Sequence, residues 1–140
     1  MRVVLDTNTL VSGVISPRGA PRRLLDAARA QVFEPCTSAT LLAELLDVLS
    51  RPQFAARLAQ AALTPQGIVT EIRRLAYMVA PQDVPRVIQA DPDDDHVLAC
   101  ALAAHADLIA SGDKHLHSLG GQYQGILILA PAACLQRITG

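Results

Sequence analysis

Compact apolar runs of three or four residues, set apart by stretches long enough to be helices, govern what this chain can form. Arg2-Val3-Val4-Leu5 closes at Asp6, Leu108-Ile109-Ala110 closes at Ser111, and Ile126-Leu127-Ile128-Leu129 precedes a short terminal helix. Runs of this kind lack polar alternation, so they read as strands buried on both faces. Strands separated by helices then imply a mainly parallel sheet covered on both sides, a three-layer α/β/α architecture. A further short strand is expected at Val32-Phe33-Glu34-Pro35. Pro17, Gly19 and Pro21 mark a loop, and helices are expected from about Arg22 to Ala30, from a Ser38 cap to about Ser50, from about Gln53 to Ala62 and from about Pro65 to Tyr77. Another is expected to begin near Asp94, carrying Val97, Leu98, Ala101 and Leu102. No repeat, low-complexity segment or linker interrupts the series, so residues 1–140 are read as a single domain.

Composition narrows the functional classes. Hydrophobic residues make up 51% of the 140, enough for a core, while aromatics are only 3%. So few aromatics argue against a nucleic-acid binder that stacks bases on aromatic platforms. The net charge of -1 shows no basic excess, which leaves phosphate contacts to local arginines and bound metal. Cys36, Cys100 and Cys134 are far apart, without zinc-ligand or redox spacing, and read as reduced, buried small residues. Asp6 interrupts the apolar start, so no signal peptide is expected, and His105 and Asp107 break the richest apolar region, so no membrane span is expected. A cytoplasmic protein is the expectation.

The acids carry the chemistry. In an open parallel sheet, ligands gather outside the carboxyl ends of the strands. Asp6 ends the first strand, and Asp113 follows Leu108-Ile109-Ala110 through a Ser111-Gly112 turn. Asp94 and Asp95 stand at a helix start, where the helix dipole tolerates negative charge. Glu44 lies at the edge of the apolar stripe formed by Leu41, Leu42, Leu45, Leu46, Val48 and Leu49, whereas Asp47 falls opposite the stripe. Four stretches thus offer carboxylates to one sheet edge. Their mutual repulsion is relieved by a divalent cation, and oxygen-only ligation selects Mg²⁺ or Mn²⁺ over zinc. Taken singly, each acid also has an ordinary reading: Asp6, Asp94, Asp95 and Asp113 as caps, Glu44 as a solvated helix acid. Between the neighbours Asp94 and Asp95, helix geometry favours Asp94, which shares the centre of the inward stripe, while Asp95 lies about 90° away.

In order, these stretches resemble the PIN-domain nucleases. Asp6-Thr7-Asn8 with Leu10-Val11-Ser12 resembles the family's opening, and Leu41-Leu42-Ala43-Glu44-Leu45 its second-acid helix. Asp91-Pro92-Asp93-Asp94-Asp95 with Leu98 and Ala101 resembles the third-acid motif, and Ala106-Asp107 through Ser111-Gly112-Asp113-Lys114 the fourth. Ser16-Pro17-Arg18-Gly19-Ala20-Pro21, Leu24-Leu25 and Leu49-Ser50-Arg51-Pro52 are similar to a bacterial and archaeal branch, the VapC-like toxins of type II toxin–antitoxin pairs. No one of these motifs is specific; their order and spacing are. The branch usually carries Asn where this chain has Asp95, whereas nucleases outside it align their acid with Asp95. The resemblance implies an endoribonuclease hydrolysing phosphodiester bonds in single-stranded RNA. Asp6, Asp113, Asp94 or Asp95, and Glu44 would hold Mg²⁺ or Mn²⁺, with Glu44 acting through water. Asn8 would fix Asp6 by a hydrogen bond and Ser111 would do the same near Asp113. A homodimer and a cognate antitoxin protein are the implied partners.

Rival classes fit less well. A phosphatase with an aspartyl nucleophile wants an acid two residues after Asp6, where Asn8 stands, and a receiver domain wants a phosphoacceptor after a middle strand. A dinucleotide binder needs a Gly-rich turn closer to the strand than Gly13 or Gly19. His96, His105, His115 and His117 complete no zinc set, and His105 is expected on the inward face of its helix. Lys114, the chain's only lysine, is more simply a solvated residue than a phosphate ligand. The non-enzyme alternative is a PIN fold that only binds RNA or protein.

Overall fold

Val3 and Val4, adjacent in sequence, are both wholly excluded from solvent. Side chains of successive strand residues point to opposite faces, so the strand that carries them has cover on both. A computed structural model, describing residues 1–84, 86 and 92–140 (Pro92 and Asp93 by backbone alone), shows how that cover is built. The chain runs β1 (Arg2–Leu5), α1 (Thr7–Ile15), α2 (Ala20–Arg29), β2 (Glu34–Ser38), α3 (Ala39–Leu49), α4 (Pro52–Gln60), α5 (Pro65–Leu75) and β3 (Tyr77–Val79). It continues through α6 (Pro92–Ala103), β4 (Leu108–Ala110), α7 (Lys114–His117), β5 (Gln122–Tyr123), β6 (Ile126–Leu129) and α8 (Pro131–Thr139).

The described strands form one sheet in the order β3-β2-β1-β4-β6-β5. Every pairing is parallel except β5 with β6. This is the mainly parallel α/β sheet expected from the spacing of the runs. Val3, Leu5, Leu108 and Ala110 join the core on one face, against α1, α2, α3, α5 and α8. Val4, Cys36, Ile109 and Ile128 join the other core with Val97, Leu98 and Ala101 of α6. The three cysteines are free and buried, and burial pushes the thiols of Cys36, Cys100 and Cys134 up to about 11, 12 and 11. They are packing residues, as their spacing suggested. Among the described residues no helix is long and apolar enough to cross a membrane.

Several elements differ from expectation for physical reasons. The segment after Asp6 is a helix, α1, although Thr7, Asn8, Thr9, Val11 and Gly13 are all weak helix formers. Its buried face, with Leu10, Val11 and Val14 on the core, outweighs propensity. Strand β2 lies two residues later than Val32-Phe33 suggested, because Gln31 turns the chain with a positive φ of 60° and leaves Val32 52% exposed. Tyr77, placed by its pattern at the end of a helix, instead opens β3. His105 is not on an inward helix face: α6 ends at Ala103, and His105 is exposed with φ 50°. Helix-ending bonds join Ala106 N–H to the Ala101 carbonyl and His105 N–H to that of Leu102.

The same left-handed ending closes α4 at Ala62, with φ 56° and Leu63 N–H on the Leu58 carbonyl. An L-residue held in this region costs roughly 1–2 kcal/mol. Glycine removes that cost but loses roughly 0.5–1 kcal/mol through its freer unfolded chain. Ala62→Gly is therefore expected to stabilise the protein by up to about 1 kcal/mol. A lower denaturant midpoint for the variant would contradict this account of the α4 terminus.

Candidate active site

Strand β1 sends the chain to β2 and β3 on one side, and β4 and β6 lie on the other. The carboxyl ends of β1 and β4 therefore flank the topological switch point, where open α/β sheets leave a crevice. Leu5 pairs in register with Ala110, so the next residues, Asp6 and Ser111, meet across that crevice. Asp6 N–H is bonded to the Ala110 carbonyl at 3.2 Å, which fixes the turn out of β1.

Asp6 is 5% exposed. Its Oδ1 accepts from Thr9 N–H at 2.9 Å, capping α1, and its Oδ2 accepts from the Ser111 hydroxyl at 2.5 Å. A hydroxyl on a carboxylate makes a bond of the short, strong kind. The same Ser111 oxygen accepts from Asp113 N–H at 2.9 Å, and Asp113 Oδ1 in turn caps α7 through His115 N–H at 2.7 Å. Ser111 is wholly buried and links the two aspartates through one atom. The bonds that hold Asp6 come from Thr9 and Ser111, not from the Asn8 side chain, which is exposed.

Around this pair lies a small polar cleft. Four carboxylates line it, those of Asp6, Glu44, Asp94 and Asp113, together with Thr7, Asn8 and Val97. Glu44 is half-buried and reaches the cleft from α3, whose N-terminus Ser38 caps through Leu41 N–H at 3.3 Å. Asp47, on the far side of that helix, is exposed and 3.5 Å from Arg51. Asp94 and Asp95 are equally buried at 6% exposure, but Asp95 does not line the cleft. Asp91 lies outside the described residues. Lys114 is exposed at the start of α7. An adjoining groove of about 250 Å³ shares Asn8 and Asp113 with the cleft and continues past Ser12, Gly112, Pro21 and Pro131.

The donors suit a hard divalent cation in kind, since every charged group in the cleft is a carboxylate. A carboxylate has about four lone-pair sites, so the capping bonds of Asp6 and Asp113 leave sites over. Among the described residues, however, no three or more acidic, imidazole or thiol groups are drawn together around one point.

Acids gathered at the switch point of an α/β sheet are common to several classes of protein, and comparison with known proteins narrows them. The PIN domain family model matches residues 2–115, so the chain belongs to the PIN-domain family. PIN domains are a nuclease fold, and PIN nucleases generally use divalent metal ions. The chain is also 29% identical over 119 residues to an uncharacterized protein of Methanocaldococcus jannaschii, covering 85% of this chain and 75% of that protein. No solved structure matches it.

The Ser111 network is itself testable. Ser111→Ala removes the partner of Asp6 Oδ2 and of Asp113 N–H in a wholly buried place. Leaving such groups unsatisfied costs roughly 1–3 kcal/mol each. Urea unfolding should show the variant less stable by about that amount. An unchanged midpoint would mean that neither bond contributes.

Proposed function

We propose that this protein is an endoribonuclease that hydrolyses phosphodiester bonds in RNA with Mg²⁺ or Mn²⁺ held by its acid cleft, acting as the toxin of a type II toxin–antitoxin pair. The observation that carries the reading is the meeting of four carboxylates from β1, α3, α6 and the β4–α7 turn on one polar cleft at the switch point. In this reading Asp6, Asp94 and Asp113 hold the cation, and Glu44 completes the set through water. The bound ion supplies charge neutralisation at the phosphate and a lowered pKa for water. Asp6 and Asp113 keep their orientation because each spends one oxygen on a helix cap. Glu44, from α3, accepts a hydrogen bond from the attacking water and so aims it. Asp95 serves as an auxiliary acid beside Asp94. An extended single strand has room to leave the cleft along the groove past Ser12, Pro21 and Pro131. The toxin role, a homodimer and an antitoxin segment that blocks the cleft rest on the resemblance of the motifs around Ser16–Pro21 and Leu49–Pro52.

Cleavage of a single-stranded RNA by the pure protein, with Mn²⁺ and with EDTA, tests the reading. Mn²⁺ should support cleavage and EDTA should abolish it. Asp6→Asn should lower the rate at least about 100-fold, the scale of losing a key electrostatic group, while Asp47→Asn stays near wild type. Cleavage undiminished in EDTA, or a folded Asp6→Asn at full rate, refutes the mechanism. RNA binding without cleavage would favour a silent binding module.

The two neighbouring aspartates should separate in the same assay. Asp94→Asn is expected to lose Mn²⁺ affinity and activity together, and Asp95→Asn to keep most of both. Calorimetric titration of Mn²⁺ into each variant reads the difference, and the opposite pattern would reverse the assignment.

A further inference from the structure

Every polar group of Ser111 is engaged. Its N–H donates to the Leu129 carbonyl at 2.9 Å, its hydroxyl joins Asp6 and Asp113, and its carbonyl lies 2.5 Å from Nε2 of His117. A carbonyl only accepts, so the ring must carry its proton on Nε2 to make this bond. His117 is the last residue of α7, a helix of one turn. So short a helix has almost no stability of its own. It is tied down by the Asp113 cap at one end, the buried Leu116 and the His117 ring at the other. Between Ser111 and Asp113 stands Gly112, exposed and with no atom beyond its two chain neighbours within 4 Å of where a Cβ would be. The turn is held across the glycine by the Asp113 N–H bond to the Ser111 hydroxyl and by the His117–Ser111 bond, which closes the chain back over it.

We propose that His117 is a positioning residue for the Asp6 and Asp113 carboxylates, acting through the Ser111 carbonyl. The proposal rests on the acid cleft being the reacting site. Without the ring, the Ser111-Gly112-Asp113 turn gains freedom, and the hydroxyl that holds both aspartates moves with it. The expected consequence is weaker cation binding in a protein that remains folded. Residues that orient ligands in this way typically affect metal affinity by roughly 10–100-fold.

The test uses the whole chain, with Mn²⁺ as the calorimetric probe and circular dichroism to check the fold. His117→Ala should weaken Mn²⁺ binding about 10-fold or more. His117→Gln, whose amide N–H can donate to the same carbonyl, should recover most of the loss. A folded His117→Ala with wild-type Mn²⁺ affinity overturns the proposal. Should that variant not fold, nitrogen NMR of the wild-type ring still decides: a proton on Nε2 supports the proposal and a neutral ring protonated on Nδ1 overturns it. Asp6→Asn separates the two levels. If it loses Mn²⁺ binding while His117→Ala does not, only the role of His117 falls; if Asp6→Asn binds Mn²⁺ normally, the reading of the cleft falls with it.

Discussion

A carboxyl group that is 5% exposed at the end of a central strand has to be solvated by protein. Much of the structure around Asp6 answers that demand. Thr9 N–H lies within reach because the chain turns immediately into α1, so the bond that solvates Asp6 also starts the helix. The Ser111 hydroxyl is within reach because β4 pairs with β1 in parallel register, bringing the residue after Ala110 to the residue after Leu5. The position of Asp6 thus depends on the sheet, and the start of α1 depends on Asp6.

Sheet polarity sorts the molecule into two ends. At the amino end of the strands, Arg2 pairs with Glu34 at 2.8 Å, donates to the Ala104 carbonyl at 2.9 Å and stacks over the Tyr77 ring at 4.3 Å. Those contacts join β1, β2, β3 and the end of α6, and pair the Glu34 carboxylate with a cation. At the carboxyl end, the acids of three helix starts or turns and one helix side meet instead. The same parallel pairing that fastens one end leaves a crevice at the other, because the chain departs from β1 and β4 in opposite directions across the sheet.

Elements whose signal is local were legible in the sequence. The apolar runs of β1, β4 and β6 and the leucine stripe of α3 behind its Ser38 cap carry their burial in their own residue types. Elements stabilised by partners were not. Helix α1 is built from weak helix formers and exists through its cap and core contacts. Strands β3 and β5, three and two residues long, are strands only because a neighbour pairs with them. Strand β2 contains Pro35, Thr37 and Ser38, which a scan for apolar runs passes over, yet its last three residues are buried. The convergence of Asp6, Glu44, Asp94 and Asp113 could be anticipated from strand polarity and helix phase. The link from His117 to Ser111 could not, since it depends on the path of the turn around Gly112.

Capping and cation binding are alternative readings of the aspartates in the sequence, but the two roles need not compete. Asp6 and Asp113 are both N-caps, each through one oxygen. A helix cap fixes the rotamer of its side chain and fills one lone-pair site of about four. A carboxylate capped in this way still has lone-pair sites over, which a ligand for a hard cation needs. The helix dipole adds to this, since negative charge is tolerated at the first turns of α1 and α7. Asp94 stands in the first turn of α6, within the same favourable field. Glu44 is different: it lies in the middle of α3, away from either helix end. In the proposed mechanism the aspartates at helix starts are the cation ligands, and Glu44, mid-helix, is the acid that acts through water.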